Sequence, residues 1–332
     1  MNPVSERPWV VAGSAEALAA VTPLLAERLA RQPVRAFAGD DVVEAIVREP
    51  ARWLPATTEA VLLLGSPRRA PGRALPGLWL RDGDGARVPV GWLPAADPGR
   101  LRTYADAAAR VLARTGPTGP VVVLGQWEDR FVRVGLRTSR WVARHGPDLP
   151  VFHWTADRIS RTDMIGGLTH GPGVALYFGH GRPRGWAGYH GVRVEHFAAP
   201  WPEPIGALLA LCCENASRHR TGMSFAERLA LAGVCGALLA ATTKTRHEHN
   251  RLWGPALCEA LTRGQGETLA SLVAAAEVPA GLRDGGPYRF IGDPAMPLVG
   301  APVAMAAMGR VYAPAPDEIL IPWSGPTADT VA

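Results

Sequence analysis

An α/β fold on a largely parallel sheet is what the 332-residue sequence predicts, from three observations. Short apolar runs alternate with capped or amphipathic stretches along most of the chain, the pattern of strands feeding crossover helices. Several runs, among them Val174–Phe178, Ile205–Cys213 and Val234–Ala241, are apolar at every position, as strands covered on both faces must be. The alternation also restarts after the cluster Thr115-Gly116-Pro117-Thr118-Gly119-Pro120, which ends a helix and opens a second unit. Two such units imply two sheets or one long composite sheet.

The elements follow in order. Pro8–Ala12 reads as a strand and Ser14–Arg31 as a helix, Val34–Ala38 as a second strand and Asp41–Arg48 as a second helix. Ala60–Leu64 is a strand that stops at Gly65, and the Pro/Gly/Arg-rich run Ser66–Arg73 is an exposed loop. Val88–Trp92 is a strand end. A helix to Arg114 starts at Asp97-Pro98, with Asp as N-cap and Pro at the first helical position. In the second unit, strands at Val121–Leu124, Val151–Trp154 and Val174–Phe178 alternate with helices at Phe131–Arg144 and Ser160–Leu168. Strand Ile205–Cys213 leads to Ser224-Phe225-Ala226-Glu227, a capping box opening a helix to Ala232. Strand Val234–Ala241 and helices Leu252–Thr262 and Thr268–Ala276 complete the pattern. The expected division is 1–116, 117–300 and a tail 301–332. The tail, with Pro314-Ala315-Pro316 and Gly325-Pro326, reads as an extended or disordered arm.

Composition excludes several classes. With 47% hydrophobic and 20% charged residues the chain is a packed globular protein. The net charge of +5 comes from 35 basic and 30 acidic residues, with Lys244 the single lysine and no basic run longer than two. That leaves no nucleic-acid stripe. Neither phosphate-binding glycine pattern, G-x-G-x-x-G or G-x-x-x-x-G-K-[ST], follows a strand, which opposes a nucleotide-binding reading. The polar start Met1–Pro8 lacks the features of a signal peptide. The longest apolar run, Leu229–Ala241, falls short of the roughly 18–20 residues that span a bilayer. The expectation is a cytoplasmic protein with no membrane or nucleic-acid partner. Cys212, Cys213, Cys235 and Cys258 form no C-x-x-C pair, so four free thiols and no metal or other cofactor are expected.

Function in open parallel sheets gathers at the carboxyl ends of strands. Two ends stand out. Val174–Phe178 runs into Gly179-His180-Gly181, and the apolar run from Ile205 reaches Cys212-Cys213 before turning polar at Glu214-Asn215. A cysteine thiolate activated by a histidine is the core of nucleophilic acyl transfer, since a free thiol with a pKa of about 8.5 is mostly protonated at neutral pH. Adjacent side chains on a strand point to opposite faces, so one of Cys212 and Cys213 can face His180.

Four segments carry a family resemblance. Ala60–Gly65 resembles an apolar strand ending in Gly, and Val88–Ala95 a "VGRLP" segment with Trp92 where Arg is usual. Tyr177–Gly181 resembles "Y-x-GHG", and Ile291-Gly292-Asp293-Pro294 a "GDP" segment. In this order they resemble the gingipain-like cysteine peptidases of the caspase-like clan CD. The resemblance implies a caspase-haemoglobinase-like fold of two α/β subdomains with helix-flanked sheets. It implies a cysteine endopeptidase acting on a protein or peptide, with the general acid–base at His180. Cys213-Glu214-Asn215-Ala216 resembles the "A-C-x-x-A" of the related CHAT-domain peptidases, which puts the nucleophile at Cys213 and Cys212 where a small residue is usual. The oxyanion hole would be the N–H groups of Gly181 and Cys213. Leu211, two before the nucleophile, would line an apolar or small primary pocket, whereas Arg182 and Arg184 would receive an acidic side chain.

Other constellations read as structural. His190-Gly191 lies in a loop, and His247-Glu248-His249 reads as a polar loop rather than a metal pair. Trp127, Trp154 and Trp186, at strand ends or in loops, read as core packing over a peptide cleft. Known gingipain relatives are secreted and carry an immunoglobulin-like domain; the expectation here is a protein without an export signal and without that domain after Pro294. An intracellular peptidase needs restraint, so a specific target and a regulatory activator are expected. The rival reading is an inactive caspase-like scaffold that binds a partner.

Overall fold

The computed structural model describes residues 6–65, 77–95, 97–197, 199–281, 283–302 and 304–308. The Ser66–Arg73 loop and the proline-rich part of the tail lie outside them. The first half holds β1 (Trp9–Gly13), α1 (Ala15–Ala20), α2 (Thr22–Leu29), β2 (Val34–Ala38), α3 (Val42–Arg48) and α4 (Pro50–Trp53), then β3 (Ala60–Gly65), β4 (Trp79–Arg81), β5 (Arg87–Pro94) and α5 (Pro98–Leu112). The second half continues with β6 (Val121–Gly125), α6 (Asp129–His145), β7 (Val151–Thr155), α7 (Arg161–Leu168), β8 (Val174–Phe178), β9 (Gly181–Arg182) and β10 (Gly185–Trp186). It ends with β11 (Ile205–Leu211), α8 (Phe225–Leu231), β12 (Cys235–Ala241), α9 (His247–Thr262), α10 (Leu269–Glu277), β13 (Tyr288–Gly292) and α11 (Ala304–Met308).

Of the two arrangements that the repeated alternation allowed, the chain adopts the composite sheet. Its order is β2-β1-β3-β5-β13-β12-β11-β8-β6-β7, with β4 added antiparallel on β5. The pairs along that order are parallel except β12–β13. Strands β1, β3, β6, β8, β11 and β12 are buried at every position, which is why their sequences are continuously apolar. The edge strand β2 is the most exposed, as its alternating Val-Arg-Ala-Phe-Ala allows.

The sequence reading did not include β13, a strand of mixed Tyr-Arg-Phe-Ile character, yet β13 joins the two halves by pairing with both β5 and β12. Its approach to β5 is so close that a Cβ on Gly91 would collide with the Gly292 carbonyl and lie 2.7 Å from Pro294. Just beyond β13, the buried Asp293 carboxylate accepts hydrogen bonds from Trp9 Nε1 (3.1 Å) and from Arg28 Nε (3.0 Å), and its backbone N–H donates to Tyr104 Oη (2.7 Å). The Gly-Asp-Pro segment is thus a structural hub that ties β1, α2 and α5 to the sheet centre.

Three helix expectations change. Ser14–Arg31 is two helices, because Pro23 in the first turn of α2 starts a new helix rather than extending the old one. The helix expected from Leu252 begins at His247, so His247-Glu248-His249 forms its first turn and is not a loop. The tail begins as α11, with Ala304 and Met308 buried against the core. No described helix is long and apolar enough to cross a membrane.

Candidate active site

Four adjacent parallel strands, β12-β11-β8-β6, end at one edge of the sheet. Register aligns Leu211, Phe178 and Gly125 across the last three. Two residues beyond that row come Cys213 after β11 and His180 after β8. Neighbouring strands lie about 4.8 Å apart, so register brings the two chain segments that carry Cys213 and His180 to the same edge of the sheet. The loops touch as well: a Cβ on Gly181 would collide with the Cys213 carbonyl and come within 2.6 Å of Cys212 Sγ.

His180 is held by the end of β6. Gln126, buried there, accepts the His180 N–H through Oε1 (2.8 Å) and donates through Nε2 to Glu128 Oε1 (3.0 Å). The His180 ring is exposed, packs edge-on against Phe131 and presents Nε2 to Arg130 Nη2 (2.6 Å) and Glu128 Oε1 (3.3 Å). Arg130 and Glu128 pair with each other at 2.8 Å. A guanidinium has only donors, so in this contact Nε2 can only accept. The sequence reading missed Gln126, Glu128 and Arg130. Their signal was present, since β6, like β8, is an apolar strand that breaks at Gly into polar residues.

The two neighbouring cysteines part company at the strand end. β11 stops at Leu211, and Glu214 takes a left-handed φ of 57°, so the chain turns sharply around Cys213. Cys213 is half-buried; its Sγ receives the Thr245 N–H (3.3 Å) and lies 3.5 Å from Thr245 Oγ1. Cys212 is fully buried, hydrogen-bonds Asn215 Oδ1 at 3.0 Å, and has its thiol pKa pushed well up by burial and then by Cys213.

Asn215 fastens the turn to the β9–β10 hairpin. Its Nδ2 donates to the carbonyls of Arg182 (2.9 Å) and Gly185 (3.2 Å), and its Oδ1 receives Trp186 Nε1 (2.7 Å). Within the hairpin, Ala187 N–H donates to the His180 carbonyl, which makes Gly181–Trp186 a non-hydrogen-bonded pair. The Gly181 N–H therefore points away from the hairpin partner. Among the described residues the Cys213 N–H has no acceptor either. Asn250 on α9 braces the other side, donating to the Leu211 carbonyl and Thr245 Oγ1, both at 3.0 Å.

Several expected site residues fall elsewhere. Leu211, expected to line a primary pocket, ends β11 and is 0% exposed. Arg182 and Arg184 are exposed on the hairpin. Trp154 and Trp186 are core residues, whereas Trp127 is exposed and stacks on His190 at 5.1 Å. His247 packs edge-on against the same Phe131 ring as His180. Its pKa is lowered by burial and then by Arg130. Among the described residues no group of three or more potential ligands is placed to hold a metal. Two cavities, of about 790 and 510 Å³, are lined by neither His180 nor Cys213.

The fold and the site have known counterparts. No curated protein matches the sequence. Among solved structures, the chain resembles the Arg-specific cysteine proteinase gingipain R at 14% identity and a TM-score of 0.68, covering 90% of this chain and 80% of that one. It resembles the complex of pro- and mature domains of Porphyromonas gingivalis RgpB at 14% identity and a TM-score of 0.69, covering 87% and 79%. A structure described only as a protease matches at 14% identity and a TM-score of 0.67, covering 88% and 78%. At such identities the likeness speaks for the fold. The sequence itself speaks for the family: residues 86–299 match the profile of Peptidase family C25. That span is well over half of the chain, and with it the two α/β halves, the His-Gly strand end and the neighbouring cysteine resolve into a member of Peptidase family C25, a gingipain-like cysteine peptidase.

Proposed function

We propose that the chain cleaves peptide bonds in a protein target with Cys213 as nucleophile and His180 as general acid–base. The observation that carries this reading is the register: the accessible thiol and an exposed imidazole stand two residues beyond paired positions on adjacent parallel strands. The burial and raised pKa of Cys212 support the choice of Cys213.

In the resting arrangement each partner is engaged elsewhere, Cys213 with Thr245 and His180 with Arg130. Once Arg130 has moved aside, rotation about the Cys213 Cα–Cβ bond brings the thiol toward His180, whose freed Nε2 takes its proton. The thiolate attacks the scissile carbonyl, and the Gly181 and Cys213 N–H groups hold the oxyanion. Glu128 at Nε2 stabilises the imidazolium once Arg130 has moved aside. His180 then protonates the leaving amine, and water, deprotonated by His180, hydrolyses the thioester. The same reading has the enzyme held in check in the cytosol until a target or activator arrives; the contacts of His180 with Arg130 and of Cys213 with Thr245 support the restraint.

The test is a pair of variants with a thiol-reactive peptide probe read by mass spectrometry. Cys213→Ala is expected to abolish both turnover and labelling, and Cys212→Ala to retain labelling at Cys213. Labelling at Cys212 alone reverses the assignment. Absence of labelling in the wild type under every condition that binds peptide favours the scaffold reading, in which the resting contacts are permanent.

A further inference from the structure

The β9–β10 hairpin that carries Gly181 turns at Pro183-Arg184, and the turn is fastened to the start of α8 by Phe225 N–H donating to the Pro183 carbonyl at 2.8 Å. Beside this turn lies a cavity of about 510 Å³. Its wall carries Arg184, Arg193 and Arg228 against one acid, Glu195. Glu195 is already paired with Arg228. Arg184 and Arg193 have no ion-pair partner among the described residues. Thr221 lines the same cavity, and its hydroxyl is buried with no hydrogen-bond partner. Met223 supplies an apolar wall.

Two guanidiniums without an ion pair, of which Arg193 also lowers the Glu195 pKa by its charge, a hydroxyl without a hydrogen-bond partner and an apolar wall together match one ligand, a carboxylate on a short carbon chain. Position then relates it to the reaction. Gly181 abuts the Cys213 carbonyl, and Arg184 follows three residues later, at most about 11 Å along the chain. An extended substrate advances about 3.3 Å per residue.

We propose that this cavity is a subsite for an aspartate or glutamate side chain two to four residues from the scissile bond, so that the target is cut beside an acidic segment. The proposal rests on the reading of Cys213 and His180 as the cleavage site. It also moves the acidic recognition expected of Arg182 and Arg184 from the primary residue to a neighbouring position, and adds Arg193 and Thr221 to it.

The experiment separates binding from cleavage. Fluorescein-labelled ten-residue peptides, one with three central glutamates and one with glutamines in their place, are titrated by anisotropy into full-length Cys213→Ala protein. The glutamate peptide is expected to bind about tenfold more tightly, with the advantage shrinking as salt rises. Arg184→Glu and Arg193→Glu on that background should each erase the advantage, and the double reversal should prefer a lysine peptide. The exposed Arg48→Glu on α3 serves as a control for net charge. Equal affinity for glutamate and glutamine peptides overturns the proposal, as does an equal loss in Arg48→Glu. With wild-type enzyme, cleavage sites mapped in casein should carry an acidic residue two to four positions away. Probe labelling and cleavage with no acidic preference sink the subsite and leave the peptidase reading intact. Selective glutamate binding without labelling or cleavage sinks the peptidase reading and leaves the cavity as an acidic-peptide site.

Discussion

At the residue scale, a few hydrogen bonds around His180 decide what the site does. Its Nε2 has two claimants, the Arg130 guanidinium at 2.6 Å and the Glu128 carboxylate at 3.3 Å. A carboxylate there favours the imidazolium that forms when the thiol is deprotonated, and a guanidinium opposes it. Arg130→Ala should therefore raise kcat several-fold with little change in KM. Glu128→Gln should lower kcat about tenfold, the order of one charge-assisted hydrogen bond. Steady-state kinetics on a peptide substrate across pH 5–9 would check both; equal loss of kcat in the two variants would mean that Arg130 positions His180 rather than restraining it. The proposal of His180 and Cys213 came from the sequence, where each stands at the end of an apolar run. Glu128 and Arg130 were not picked out, because acid and base two residues apart at a helix start look like any solvated first turn.

At the element scale, the site depends on how closely the β9–β10 hairpin lies against the turn after β11. Gly181 makes that approach possible, since any side chain there collides with the Cys213 carbonyl. Gly181→Ala should lower kcat/KM by about a hundredfold, comparable to losing one oxyanion donor, while the melting temperature falls by no more than about 5 °C. Kinetics and calorimetry on the same preparation would tell displacement of the hairpin from general unfolding. Element boundaries show where local signals suffice. α8 opens with Ser224 and Glu227 in a reciprocal capping box, and its start was readable from four residues. α9 has Arg246 as N-cap with no side-chain cap, so its first turn, His-Glu-His-Asn, resembles a polar loop. What makes that turn helical is tertiary: His247 packs on Phe131, and Asn250 reaches across to β11.

At the scale of the whole molecule, two α/β halves behave as one sheet because β13 is wedged between them and Asp293 is bound from three sides. Arg28 and Asp293 are both buried, so removing the carboxylate leaves an uncompensated guanidinium in the interior. Asp293→Ala should cost about 3–5 kcal/mol of stability, read from the midpoint of urea unfolding. The loss should appear in one transition followed by both near-ultraviolet dichroism and tryptophan fluorescence, since the core is shared by both halves. Two separated transitions would show that the halves unfold independently. The sequence by itself determined the strand–helix alternation, the buried character of the strands and the residues at which apolar runs break, because burial on both faces leaves its mark locally, residue by residue. Only the tertiary structure decided the strand order that makes the ends of β11 and β8 neighbours, the burial of Cys212 and Leu211, and the arrival of Glu128 and Arg130 at the imidazole. Those depend on which strands become neighbours, and neighbours are chosen by packing between residues far apart in the chain.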